Sequence, residues 1–326
     1  MKLNKSKIRR ETVLALAYPL LVLAMLFLWI CPVFLRKKIE KIAGKIYYKM
    51  GTKARISALN NLKSVYSNQF SEQEIEKMAQ EVFTNTAGCV LDFFAKVYVK
   101  KPKNYFKFVQ VAGVENLKKA YDKGKGVICL IPHISSWELS AVTPPMLGCK
   151  TIAASKPVKG ALIQKTMVWF RARRGMKNFE RGGSYQHLVE GLQAGNCLIL
   201  MIDQDTDVKG CFVQFFGRET YTPLGAARLA ADTDAAIVPM AMQRLETGKY
   251  LFEILPEMEV VKTDNPQQDL ITNTQAQSLV IEGFIRKNPT QWVFMHRRWK
   301  TTPAILEQRL KWRAEQKKNK ITIDVP

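Results

Sequence analysis

Val127-Ile128-Cys129-Leu130-Ile131-Pro132-His133-Ile134-Ser135-Ser136-Trp137-Glu138 is the stretch on which the fold turns. Its first five residues are an uninterrupted apolar run, which predicts a strand buried on both faces. Residues 137–147 read as a short helix interrupted by Pro144 and Pro145. A histidine therefore stands at the C-terminal end of a strand, and a carboxylate follows five positions later at the start of a helix. In α/β proteins that edge of the sheet is where ligands bind.

Downstream, short apolar runs alternate with helical periods. Residues 151–154, 197–202, 236–242 and 250–255 read as strands, and 212–216 is a further apolar run. Residues 161–174, 184–194, 223–231 and 275–287 read as helices, with Gly175 and Gly195 as expected C-caps. The alternation predicts an α/β fold, a mixed sheet flanked by helices. Upstream, residues 40–110 carry a helical period, and Ser71 with Glu74 forms a capping box that opens a helix over 72–99. The expected organisation is an N-terminal membrane anchor over 1–38, a helical lead-in over 39–110 and an α/β domain over 111–303. A basic C-terminal tail over 304–326 completes it.

The anchor is read from residues 13–35, 23 positions without a charge, flanked by Lys2, Lys5, Lys7, Arg9 and Arg10 on one side and Arg36, Lys37 and Lys38 on the other. As a helix this segment would reach about 35 Å, against about 30 Å for a bilayer core. It is too long for a signal-peptide core and no small-residue cleavage site follows. A spanning helix and a helix laid into one leaflet both fit. The net charge is +22, with 50 basic against 28 acidic residues, which calls for an anionic partner. The six cysteines are scattered without a C-x-x-C pair, and Cys129 and Cys197 sit in apolar runs, as buried thiols of a reducing compartment would.

Of three histidines, His187 falls on a helix, His296 lies in a basic segment, and His133 alone sits on a sheet edge beside a carboxylate. Two readings of that pair coexist. Ser135-x-x-Glu138 fits a capping box, and His133 with Glu138 fits a general base whose imidazole is oriented by the carboxylate. There is no G-x-S-x-G elbow, P-loop, dinucleotide fingerprint or H-E-x-x-H. A base without a protein nucleophile suggests direct attack by a substrate hydroxyl. Further candidates for substrate contact are Arg171 at a helix end, Asp203 and Asp205 beyond a strand, Arg181 in an Arg-Gly-Gly turn, and Arg297 and Arg298 in the basic segment 296–300. Each has a plainer reading as a turn, a helix end or a solvated charge.

His133-x4-Glu138 resembles the H-x4-D/E motif of glycerolipid and lipid A acyltransferases. Trp169-Phe170-Arg171, Asp203-Gln204-Asp205, Phe215-Phe216-Gly217 with Thr222 to Ala230, and Trp292 to Lys300 resemble, in order, segments of the late lipid A acyltransferases of bacteria. That resemblance implies a glycerolipid-acyltransferase-like sheet and an enzyme on the cytoplasmic face of the inner membrane. It implies acyl carrier protein as donor, an anionic Kdo-bearing lipid A precursor as acceptor, and lipopolysaccharide biosynthesis as setting. His133 and Glu138 match the catalytic dyad, Arg171 and Asp203 further site positions, and no cofactor or metal is called for. Ser135-Ser136 departs from the glycine-asparagine often found inside the motif, which bears on the acceptor. An acyltransferase for a glycerolipid or another glycolipid is the alternative, and a basic membrane-associated scaffold or nucleic-acid-binding protein the alternative from another class. Against nucleic acid, no RNP, zinc-finger or helix-turn-helix pattern is present.

Overall fold

The computed structural model describes residues 18–20, 22–157, 160–180 and 185–323. A seven-stranded sheet runs in the order β1-β9-β8-β2-β5-β3-β4 among the described residues. Its strands are β1 (Val109–Ala112), β2 (Val127–Leu130), β3 (Thr151–Ser155), β4 (Met176–Glu180), β5 (Cys197–Leu200), β8 (Ala236–Arg244) and β9 (Tyr250–Ile254). Only the β8–β9 pair is antiparallel; every other pairing is parallel. A hairpin of β6 (Gly210–Phe215) and β7 (Arg218–Pro223) stands apart from the main sheet.

The mixed sheet expected from the sequence is therefore present, with helices on both faces. β2 is its central strand and every residue of it is buried. Ile128 and Leu130 enter the core on one face, and Val127 and Cys129 enter the core on the other. The two-residue period of a strand divides the run in this way, which is why no polar residue interrupts it. The sequence did not reveal β1 and β4. Both are edge strands with one neighbour each, and Met-Lys-Asn-Phe-Glu in β4 is too polar to stand out as an apolar run.

A helical layer precedes the sheet. α1 covers residues 22–30 and ends at Cys31; α2 (Val33–Met50) starts after Pro32. α3 (Thr52–Tyr66) and α4 (Glu72–Lys96) follow, and α5 (Pro102–Tyr105), α6 (Val114–Tyr121), α7 (Trp137–Met146), α8 (Ala161–Ala172), α9 (Tyr185–Gln193), α10 (Gly225–Thr233), α11 (Pro266–Lys287) and α12 (Pro303–Ile323) are set before, between and after the strands. The Ser71–Glu74 capping box opens α4 as the sequence predicts. The expected apolar helix over 13–35 lies partly outside the described residues, at 13–17 and 21. No helix among the described residues is long and apolar enough to cross a membrane, so the spanning form of the anchor finds no support here. α11 (Pro266–Lys287) is longer than the expected 275–287: Asn265 caps it through Gln268 N–H and Pro266 takes its first turn, ahead of a polar stretch that hides the apolar period.

α2 crosses α4 closely because Gly44 lies against Thr84, where a Cβ would come within 2.6 Å of backbone. The crossing buries charges. Arg244 at the end of β8 grips Glu40 of α2 with Nη1 at 2.5 Å and Nη2 at 2.7 Å, and its Nε lies 3.2 Å from Asp92 of α4. Asp92 also takes Lys96 at 2.7 Å and the Tyr250 hydroxyl at 2.5 Å. Removing one partner from such a cluster leaves the others buried without their counterion. Arg244→Met is expected to cost about 3–5 kcal/mol of stability, read as a lower urea midpoint at unchanged slope. A loss under about 1 kcal/mol would mean that the cluster does not clamp the helical layer to the sheet.

Candidate active site

β2 and β5 are parallel neighbours with Leu130 opposite Leu200. His133 and Asp203 each lie three residues beyond that pair, so the register delivers them to the same level above the sheet. The loop after β2 turns tightly, with Ser135 at φ 52°. His133 Nδ1 lies 2.7 Å from Asp203 Oδ1, and the His133 backbone N–H donates to Asp203 Oδ2 at 2.7 Å. The indole N–H of Trp292 donates to the same Oδ2 at 2.8 Å. Asp203 is fully buried, and burial pushes its pKa up. The charge of His133 and these three donors outweigh that and hold it at about 2. An ionised carboxylate only accepts, so Nδ1 carries the proton and Nε2 is the basic nitrogen.

Glu138 stands in the first turn of α7 (Trp137–Met146). Its carboxylate is held by Arg171 near the end of α8 (Ala161–Ala172), with Nε–Oε2 at 3.0 Å and Nη2–Oε1 at 2.7 Å. Arg171 Nη1 donates to Ser155 Oγ at 2.9 Å and to Asn178 Oδ1 at 2.8 Å. Two expectations are corrected here. The carboxylate that orients the imidazole is Asp203, not Glu138. The Ser135–Glu138 capping box is not formed either: Ser136 occupies the N-cap without a side-chain bond, and both Glu138 oxygens face Arg171.

The substrate contacts expected elsewhere divide. Arg171 lines the cavity, but four of its N–H groups are already spent on Glu138, Ser155 and Asn178, so it acts as a clamp on Glu138. Asp205 is buried beneath the chain after the basic segment, where it accepts from Thr301 N–H at 2.8 Å and Thr301 Oγ1 at 2.9 Å. Arg298 is buried too and donates to the Tyr221 carbonyl at 2.8 Å and Thr222 Oγ1 at 2.6 Å. These two residues hold the hairpin and the loop after β5 in place and are closed to a ligand. Arg297 is exposed and does not line the cavity. Arg181 lies outside the described residues. Sequence reasoning missed Ser155 and Asn178; Ser155 is the last residue of β3 and Asn178 the middle residue of its neighbour β4, and neither stands in a motif that marks it.

His133, Glu138 and Arg171 open on one cavity of about 830 Å³. Apolar side chains dominate its inner wall, among them Ala141, Ala153, Met167, Met176 and Ile199. Lys156, Lys209 and Arg228 are exposed where they line it. A cavity of this size and lining suits a hydrocarbon chain with a polar head. Among the described residues, no group of three or more His, Cys, Asp or Glu is arranged to hold a metal ion.

Residues 4–301 match the family described as bacterial lipid A biosynthesis acyltransferase. The lipid A biosynthesis palmitoleoyltransferase of Escherichia coli K12 is 29% identical over 86% of this chain and 90% of its own length. The lipid A biosynthesis acyltransferase of Haemophilus influenzae is 26% identical over 78% and 80%. The phosphatidylinositol mannoside acyltransferase of Mycolicibacterium smegmatis is 25% identical over 59% and 62%.

The depressed pKa of Asp203 has a consequence for stability. Its contribution is complete above the unfolded carboxylate value of about 4 and is lost as pH falls toward 2, an effect of about 2 kcal/mol. Asp203→Asn is therefore expected to flatten the loss of stability between pH 4 and 2 in chemical denaturation. Parallel pH curves for the two proteins would contradict the buried ion pair.

Proposed function

The chain belongs to the bacterial lipid A biosynthesis acyltransferases, and from that premise we propose that it moves a fatty acyl group from acyl carrier protein to a hydroxyl of a Kdo-bearing lipid A precursor. The observation that carries this reading is the His133–Asp203 contact of 2.7 Å at the wall of an apolar cavity of about 830 Å³. His133 Nε2 takes the proton of the acceptor hydroxyl as that oxygen attacks the thioester carbonyl carbon. The imidazolium that forms is stabilised by Asp203. The tetrahedral intermediate collapses with cleavage of the C–S bond, and the proton passes from Nε2 to the departing sulfur. The products are the acyl ester and the free thiol of the carrier.

Glu138 serves a separate purpose in this scheme. A carboxylate has about four acceptor sites, and Arg171 takes one on each oxygen. Glu138 therefore remains a fixed acceptor at the cavity wall, suited to a hydroxyl or amide N–H of either substrate. Membrane attachment is supported by the exposed Leu20, Leu23, Phe27, Trp29, Ile30 and Phe34, followed by the exposed Lys37, Lys38, Lys41 and Lys45. Apolar side chains followed by cations match an anionic leaflet, and the cytoplasmic face of the inner membrane is where carrier and precursor meet. A second reading, with another glycolipid as acceptor, draws on the mycobacterial relative's name.

His133→Ala should lower acyl transfer by about 10²–10⁴-fold while the protein still folds. The assay is purified protein with acyl carrier protein thioesters and a panel of lipid acceptors. Near-normal turnover in that variant would sink the mechanism, and transfer only to a non-Kdo glycolipid would favour the second reading. Ala153→Phe narrows the inner wall and is expected to shift donor preference to shorter chains, read by mass spectrometry of the product. An unchanged chain distribution would place the acyl chain elsewhere.

A further inference from the structure

We propose that Trp292 is a positioning residue of this site, whose indole N–H fixes the Asp203 carboxylate and, through it, the His133 imidazole. The inference rests on the reading of His133 as the base. Trp292 lies 89 positions from Asp203 in sequence and donates to Oδ2 at 2.8 Å. The imidazole uses Oδ1 at 2.7 Å. Oδ2 also accepts from the His133 backbone N–H at 2.7 Å, so the indole is the one contact in this set that His133 does not itself supply, and the carboxylate cannot turn to follow the imidazole without breaking it. An indole suits that position because it only donates; it cannot compete with Asp203 for the imidazole proton.

The segment that carries Trp292 is itself tied to the backbone of the catalytic histidine. Ser135 N–H donates to the Gln291 carbonyl at 2.8 Å, Val293 N–H to the His133 carbonyl at 3.3 Å, and Ile134 bridges Trp292. Gln291 clamps the Arg244 backbone from both sides, accepting its N–H at 2.8 Å and donating to its carbonyl at 2.9 Å. Asn61 of α3 donates to the Phe294 and His296 carbonyls at 2.7 Å each, and Asn85 of α4 to the Thr290 carbonyl at 2.9 Å. The strap thus has little freedom of its own. It presents the indole at a set distance from both members of the pair.

Trp299 supplies the contrast. It packs in the same aromatic cluster, against Phe215 and Trp292, but its indole nitrogen is buried without a hydrogen-bond partner among the described residues. Trp292→Phe and Trp299→Phe therefore remove similar bulk from one cluster, and only the first removes a donor from Asp203. The other charged or titratable groups around the pair are His296, Arg298 and Lys300 after Trp292, and Asp205 on the loop of Asp203. Glu138 and Arg171 complete the set at the cavity wall. Neither variant changes any of them.

Without the indole, Oδ2 keeps more of its charge and stabilises the imidazolium more strongly. Activity requires neutral His133, so the acid limb of the rate profile should move to higher pH in Trp292→Phe. At pH values above that limb the carboxylate, and the imidazole it orients, are held less well, and the misplaced base should lower kcat by about tenfold, at little change in KM. Trp299→Phe should leave the limb in place. A Trp292→Phe limb that superimposes on the wild type, or an equal shift in Trp299→Phe, overturns the proposal. His133→Ala assayed alongside separates this failure from failure of the base assignment, since the latter would leave that variant active. Should Trp292→Phe not fold, the indole N–H resonances of wild-type protein give the same decision. One of them should move on Asp203→Asn, and six unmoved tryptophan indoles would overturn the inference.

Discussion

A single ionised carboxylate, Asp203, holds together three parts of the chain that are far apart in sequence. Its oxygens accept from the His133 ring, the His133 backbone and the Trp292 indole. Leaving such a charge buried without partners costs several kcal/mol, so each donor is under a geometric obligation to stay. The strand register between β2 and β5 satisfies the first two donors, and the strap after α11 satisfies the third. A site assembled in this way cannot drift at one residue alone. Displacing the strap would expose Asp203 and release the histidine together.

The helical layer before the sheet belongs to the same construction. α3 and α4 reach the strap through Asn61 and Asn85, and α2 reaches β8 through Glu40 and Arg244. Gln291 then joins Arg244 to the loop that carries Ser135 and His133. The elements closest in sequence to the exposed Leu20, Leu23, Phe27, Trp29, Ile30 and Phe34 are thus joined to the loop that carries His133 through side-chain amides and one ionic cluster. Side-chain amides suit that role, since each can donate to and accept from backbone without bringing in a further charge.

This distribution explains what was legible in the sequence. β2 announced itself because a central strand must be apolar on both faces, and His133 announced itself by standing at its end. The edge strands β1 and β4 need only one buried neighbour and carry no such run. For the site, spacing favoured Glu138 as the partner of His133, because five positions are visible in a sequence and a pairing across strands is not. Register placed Asp203 there instead. Asp203 was singled out for its place after a strand, but its role could not be read without knowing that β5 lies beside β2. Asp205 and Arg298 were misjudged for a related reason. A charged residue in a loop reads as exposed, and only the folded chain shows the Thr301 and Thr222 groups that take it inside.

Among the described residues, few cations are buried. Inside, cations are matched: Arg171 by Glu138, Arg244 by Glu40 and Asp92, Lys96 by Asp92. Arg174 and Arg298 are instead satisfied by oxygen acceptors, the Phe170, Lys96 and Val97 carbonyls for one and Tyr221 and Thr222 for the other. Burial lowers the pKa of both guanidinium groups to about 10, the sign of a charge held without a full counterion. A matched interior contributes little field outside the protein, whereas the exposed lysines on α2 and at the cavity set the potential that an approaching molecule meets. The interior charges hold His133 and Asp203 in place, and the exterior ones favour the approach of anions.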